Sequence, residues 1–142
     1  MSTQQPQHPQ PEWLVIGITG RIGSGKTSAA RYFEQVHGFQ YVRYSHVLAE
    51  WLAPDPDSKA RLQQIGWEVM SGGMQGELNR RLITRLSPGR DCVVDGLRHP
   101  VDFESLQEAY QSQFCLLYVD CSAQKRWERL AVKHSTFDRF QA

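Results

Sequence analysis

The 142-residue sequence has no marked excess of charge of either sign. Sixteen Lys and Arg stand against fifteen Asp and Glu, a net charge of +1. Such a chain lacks the broad positive field that gathers nucleic acid polymers or anionic membranes, yet it leaves room for a small anion site. Long apolar runs are missing too. The longest, Phe114 to Val119, is strand-sized, far short of the roughly 18 residues that a membrane helix needs. No charged-then-apolar leader opens the chain, so the cytoplasm is the expected compartment. Cysteine is scarce: Cys92, Cys115 and Cys121 have no metal-ligand spacing. Cys92 and Cys115 fall in apolar runs, where a free thiol is expected to act as a small buried hydrophobe. No internal repeat is visible.

What is present reads as one α/β domain. Residues 1–12 alternate Gln with Pro6, Pro9 and Pro11 and offer nothing to bury, so a disordered tail is expected there, with the domain at 13–142. The run Trp13 to Thr19 is apolar on both faces, as suits a central parallel strand. Ala29, Tyr32, Phe33 and Val36 follow at helical spacing, and Gly38 stands where a C-cap belongs. Tyr41 to Tyr44 reads as a second strand, with Ser45 as an N-cap. Residues 46–86 carry three apolar stripes: Val47, Leu48, Trp51, Leu52; then Leu62, Ile65, Val69, Met70; then Leu78, Leu82, Ile83, Leu86. Pro54 to Asp57 separates the first two, and Ser58 is placed to cap the second. Cys92 to Asp95 and Phe114 to Val119 supply two more strands. Phe103, Leu106, Ala109 and Tyr110 mark the helix between them, and Ala123, Trp127, Leu130 and Ala131 a last one. This alternation predicts a three-layer α/β/α sandwich around a parallel sheet.

Gly20-Arg21-Ile22-Gly23-Ser24-Gly25-Lys26-Thr27 is a complete G-x-x-x-x-G-K-[ST] motif between a strand and a helix. A loop that wraps an anion with its backbone N–H groups needs residues without Cβ. The following helix adds its N-terminal positive end. Gly20 to Thr27, with Ser28, are therefore the expected nucleotide-binding residues. Lys26 is expected to reach the β- and γ-phosphates, and Thr27 to hold Mg²⁺. Asp95 ends an apolar strand at the ligand edge of the predicted sheet, where an acid orients Mg²⁺ or its water. The alternative for Asp95 is a cap on the next turn. GTPases typically carry an Asn/Thr-Lys-x-Asp tetrapeptide, and the sequence contains none, so ATP is the favoured nucleotide.

These residues resemble the P-loop kinases. Ile16 to Gly20 with Ile22 to Thr27 looks like the opening of dephospho-coenzyme-A kinases. Asp95-Gly96-Leu97-Arg98 resembles the Asp-Gly-x-Arg element of nucleoside monophosphate kinase-like proteins. Tyr41 to Leu48 with Leu62 to Gly66 looks like P-loop domains found alone or joined to cytidylate deaminases. The resemblance implies a sheet of order 2-3-1-4, a helical acceptor and lid region, and ATP with Mg²⁺ as cofactors. It implies that Arg98 holds the acceptor phosphate or the γ-phosphate. The competing use of Arg98 is a surface ion pair with Asp102 or Glu104. It also implies a basic lid after the fourth strand. Lys125, Arg126, Arg129 and Lys133 share that stretch, and Arg129 is the chosen lid residue. Lys26, Asp95, Arg98 and Arg129 are thus the expected catalytic set, and Thr27 and Asp95 the metal set.

Two departures matter. Dephospho-coenzyme-A kinases carry an aspartate at the end of the second strand, where this sequence has Tyr44-Ser45-His46. A hydroxyl acceptor needs a base there, whereas a phosphate acceptor brings its own oxyanion. Glu50 and Asp95 remain as substitute bases. The fifth strand usual in the family is missing, so the domain reads as C-terminally truncated. The fourth strand would then have an open edge for a second copy or a partner protein to cover. Tyr44, Trp51 and Trp67 are each expected to pack in the core, with stacking on an acceptor base as the alternative. The expected function is transfer of the ATP γ-phosphate to a small phosphorylated metabolite, a nucleoside or deoxynucleoside monophosphate. The alternatives are a dephospho-coenzyme-A kinase-like enzyme and an ATP-binding regulatory module without phosphotransfer.

Overall fold

The computed structural model describes residues 12–21, 23–52 and 59–130. The Gln/Pro-rich tail, Ile22, the Pro54–Asp57 break with Ser58, Lys133 and the last residues lie outside the described residues. So do the side chains of Arg126, Trp127, Arg129 and Leu130.

Four strands form one parallel sheet in the order β2-β3-β1-β4: β1 at Val15–Gly20, β2 at Gln40–Arg43, β3 at Cys92–Asp95 and β4 at Phe114–Val119. The helices are α1 at Lys26–His37, α2 at Tyr44–Leu52, α3 at Lys59–Ser71, α4 at Gln75–Arg85, α5 at Pro100–Tyr110 and α6 at Ala123–Leu130. None among the described residues is long and apolar enough to cross a membrane.

Successive side chains of a strand alternate between the faces of a sheet, and two cores follow. Ile16, Ile18 and Val93 meet Ala30 and Phe33 of α1 on one face. Val15, Cys92 and Val94 meet Tyr44, Leu48, Leu82 and Leu106 on the other. Register decides what reaches the ligand edge. Tyr41 pairs with Val93 and Arg43 with Asp95. Tyr41, Arg43, Val93 and Asp95 therefore share the α1 face.

Several expectations need correction. The apolar stripe of α1 is rotated: Ala30 is buried, but Tyr32 is 53% and Val36 60% exposed. The phase of α1 is set by the loop from which it springs, so Lys26, Ala30 and Phe33 follow one another at i, i+4 and i+7. Cys92 is buried as expected, but Cys115 is exposed, because β4 pairs only with β1 among the described residues. Tyr44 begins α2 instead of ending β2, which puts Ser45 inside the helix. Trp67 is 64% exposed and is no core residue. The ring of Trp51, partly buried, lies under the Arg81 guanidinium at 4.6 Å.

Leu82 has 0% exposure, so Leu82→Ala leaves a cavity and is expected to lower the unfolding free energy by about 2–5 kcal/mol. Val36→Ala on the exposed face is expected to change it by about 0.5 kcal/mol or less. Urea midpoints check both.

Candidate active site

The glycine-rich loop leaves β1 at Gly20 and enters α1 at Gly25. A Cβ on Gly20 would sit 2.2 Å from the Val119 carbonyl oxygen and 2.9 Å from Ser24 Oγ, so only glycine lets these chains pass. Gly25 is the N-cap of α1, with φ of 100° in the left-handed region. It offers no side-chain cap, and no acid stands in the first turn. The helix N-terminus thus presents its positive end without a built-in anion. Ser24 is 3% exposed, and its hydroxyl has no hydrogen-bond partner. Arg21 is exposed and accepts the Ser24 amide on its carbonyl at 3.1 Å. An uncapped helix start, an orphaned buried hydroxyl and a Cβ-free cradle fit a bound phosphate.

Lys26, Thr27 and Ser28 form the first turn of α1. Thr27 Oγ1 donates to Asp95 Oδ2 at 3.1 Å. The loop and the end of β3 are thereby brought together as the sequence predicts. Two hard oxygens in contact suit Mg²⁺, which takes one or two protein oxygens and completes its shell with water and phosphate. Among the described residues no cluster of three or more His, Cys, Asp or Glu could hold a metal ion, and this mode of Mg²⁺ binding needs none.

Asp95 is 1% exposed and is the centre of the site. Tyr41 Oη donates to the same Oδ2 at 2.7 Å, and Arg43 Nε stands 4.0 Å from it. The Arg31 guanidinium lies over the Tyr41 ring at 3.9 Å. Burial first, then repulsion from Arg98, lowers the Lys26 pKa. Attraction to Asp95 opposes this, and Arg43 adds to the lowering. Lys26 and Arg43 thus face the Asp95 carboxylate, and Arg98 adds positive charge near Lys26. His46 is also pushed down, by burial and then by Arg43 and Arg31.

The Arg98 side chain is exposed, and its backbone amide, not its guanidinium, meets Asp102, donating to Oδ2 at 3.0 Å. The ion pair weighed for Arg98 is therefore not formed. His99 caps α5, its Nδ1 accepting from the Val101 amide at 3.1 Å. Glu50 pairs with Arg85. A cavity of about 230 Å³ beside β2 is lined by Tyr41, Arg43, His46, Glu50 and Arg85 among others. The structure thus joins the loop from Gly20 to Gly25 and its Lys26 and Thr27 to Asp95, with Arg98 near enough to Lys26 to repel it. The Arg129 side chain and Ile22 fall outside what it describes.

Sequence reasoning missed Tyr41 and Arg31 as partners of the site, and it gave Arg43 no link to Asp95. Their signal exists only in the β2–β3 register and in the rotated face of α1. Asp102 entered only as a surface partner.

A family profile described as an AAA domain matches residues 16–136. A UPF0200 protein of Aeropyrum pernix is 31% identical over 125 residues, covering 84% of this chain and 65% of its own length. A dephospho-CoA kinase of Vibrio parahaemolyticus is 30% identical over 113 residues, covering 75% of this chain and 54% of its own. The chain thus spans about two thirds of the first relative and about half of the second. The shikimate kinase of Acinetobacter baumannii, solved in complex with shikimate, superposes with a TM-score of 0.62 at 13% identity, covering 90% of this chain and 72% of that one. The fold is that of the P-loop kinases.

The Tyr41 hydroxyl is pushed up to about 12 by burial, by its bond to Asp95 and by that charge, against the pull of Arg43 and Arg31. A folded-state pKa above the ordinary value near 10 gives stability that is complete below about pH 10 and is lost as the pH rises through about 12. In urea titrations across that window, Tyr41→Phe is expected to lose stability less steeply than the wild type.

Proposed function

From the premise that the chain belongs to the AAA domain family and folds as P-loop kinases do, we propose that it is an ATP-dependent phosphotransferase. Its acceptor is a small phosphorylated metabolite, a nucleoside or deoxynucleoside monophosphate. The observation that carries this reading is that Arg43 stands 4.0 Å from Asp95 and that Lys26 feels the positive charge of both Arg43 and Arg98, with Asp95 the one carboxylate among the described residues that opposes them. One anion does not balance three cations. A donor phosphate chain together with an acceptor phosphate does.

The roles follow from position. The loop amides, Ser24 and Lys26 hold the donor phosphates. Thr27 and Asp95 would hold Mg²⁺. MgATP, when bound, supplies the phosphoryl group. Arg43 and Arg98 hold the acceptor phosphate and neutralise charge that builds during transfer. Tyr41 keeps Asp95 Oδ2 oriented. Arg129 is the proposed lid residue.

The acceptor oxygen needs no base on this reading. Tyr44, which follows the second strand, is buried and donates its hydroxyl to Asn79; burial and the Asp102 charge raise its pKa well above the ordinary range. Glu50 is held by Arg85. Among the described residues Asp95 is the remaining carboxylate at the site. The dephospho-CoA kinase relatives favour a second reading, transfer to a hydroxyl with Asp95 as base.

The test is transfer of labelled γ-phosphate from MgATP to a panel of nucleoside and deoxynucleoside monophosphates and dephospho-CoA. Conversion of a monophosphate is expected. Conversion of dephospho-CoA alone would favour the second reading, and nucleotide binding without any transfer a regulatory module. Calorimetry is expected to show MgATP affinity falling about 10- to 100-fold in Lys26→Ala. Arg43→Ala is expected to raise the acceptor KM by about tenfold or more while leaving the MgATP Kd within about twofold.

A further inference from the structure

The most deeply buried polar groups outside the phosphate site are Asn79 and Asp102, at 0% and 1% exposure. Both oxygens of Asp102 are used. Oδ2 accepts the backbone amides of Arg98 and His99, each at 3.0 Å. Oδ1 accepts Asn79 Nδ2 and Gln75 Nε2, each at 2.7 Å. Asn79 Oδ1 in turn accepts the Tyr44 hydroxyl at 2.6 Å. None of these donors is a cation. A buried carboxylate without a counter-ion persists only when donors satisfy it fully, and these four do.

Capping does not account for the arrangement. One oxygen of Asp102 completes the cap that His99 begins on α5. The other reaches across to α4, and through Asn79 to the start of α2. The two ends of this chain of bonds are informative. At one end the amide of Arg98 is held directly. At the other, Tyr44 directly follows Arg43. The two arginines assigned to the acceptor phosphate thus stand at opposite ends of one buried hydrogen-bonded link.

We propose that Asp102 is a positioning residue: through Asn79 and Tyr44 it fixes the backbone of Arg98 relative to that of Arg43 and so sets the spacing of the acceptor phosphate clamp. Bidentate recognition of a phosphate is sensitive to shifts of a fraction of an ångström. The buried link reaches Arg98 through its backbone amide and so leaves its guanidinium unspent. What the arginines hold rests on the kinase reading above; the link itself does not.

Two variants test it. Asp102→Asn places an amide NH₂ where one oxygen accepts two bonds. Tyr44→Phe keeps the ring in the core and removes only the far hydroxyl. Amide hydrogen exchange is read at Arg98 and His99, with Val93 in β3 and Ala30 in α1 as references. Exchange at Arg98 and His99 is expected to rise about tenfold in both variants, with the references unchanged. The acceptor KM is expected to rise about threefold to tenfold, with kcat and the MgATP Kd within about twofold. Faster exchange at all four amides would mean that Asp102 merely supports the fold, and would overturn the proposal. So would unchanged exchange at Arg98 and His99. A wild type that transfers phosphate to no monophosphate would overturn the monophosphate reading, while the exchange pattern would still decide the link.

Discussion

The site depends on one buried carboxylate. Asp95 ends the most completely buried strand of the sheet, and its Oδ2 receives Thr27 from the phosphate loop and Tyr41 from the neighbouring strand. A charge at that depth is costly unless it is hydrogen-bonded and faced by opposite charge. The two hydroxyls supply the bonds. Arg43 and Lys26 supply the opposite charge. The same cations repel one another, so the arrangement is poised for further anions. Burial of Asp95 and phosphate binding are thereby two consequences of one electrostatic arrangement.

The fold makes this arrangement by register. A parallel sheet carries the ends of its strands to one edge, and alternation decides which residues share a face. Arg43 lies opposite Asp95 because β2 pairs with β3 residue for residue. Tyr41 lies two residues back on the same face. The phosphate loop meets them because β1 pairs on the other side of β3. On the opposite face, Tyr44, Asn79 and Asp102 tie the ends of β2 and β3 to α4 and α5. The end of β2, which carries Arg43, and the segment after β3, which carries Arg98, are thus braced from beneath by buried polar groups.

What the sequence revealed followed the range of each interaction. The phosphate loop is legible because its eight residues are contiguous and form a recognisable motif between a strand and a helix. Asp95 was legible because it ends an apolar run that had to be a strand. The order 2-3-1-4 came from resemblance, not from patterning. The partnership of Tyr41 and Arg43 with Asp95 was hidden, since it spans more than fifty residues and exists only in the register. Asp102 enters the sequence reading only as a possible surface partner for Arg98; its partner Asn79 is 23 residues away. The stripe on α1 misled for a different reason. Tyr32 and Val36 fit the spacing, but the loop fixed the phase of the helix first.

On the proposed function the acceptor brings its own oxyanion, and Asp95 holds the metal instead of serving as a base. The most direct measurement is phosphorus NMR of the products formed from MgATP and a mixed pool of nucleoside monophosphates and dephospho-CoA. It distinguishes the bond made, whatever the acceptor. The account predicts the signals of a new phosphoanhydride, joined phosphate to phosphate. A new phosphate monoester on a hydroxyl, with no anhydride beside it, would contradict it.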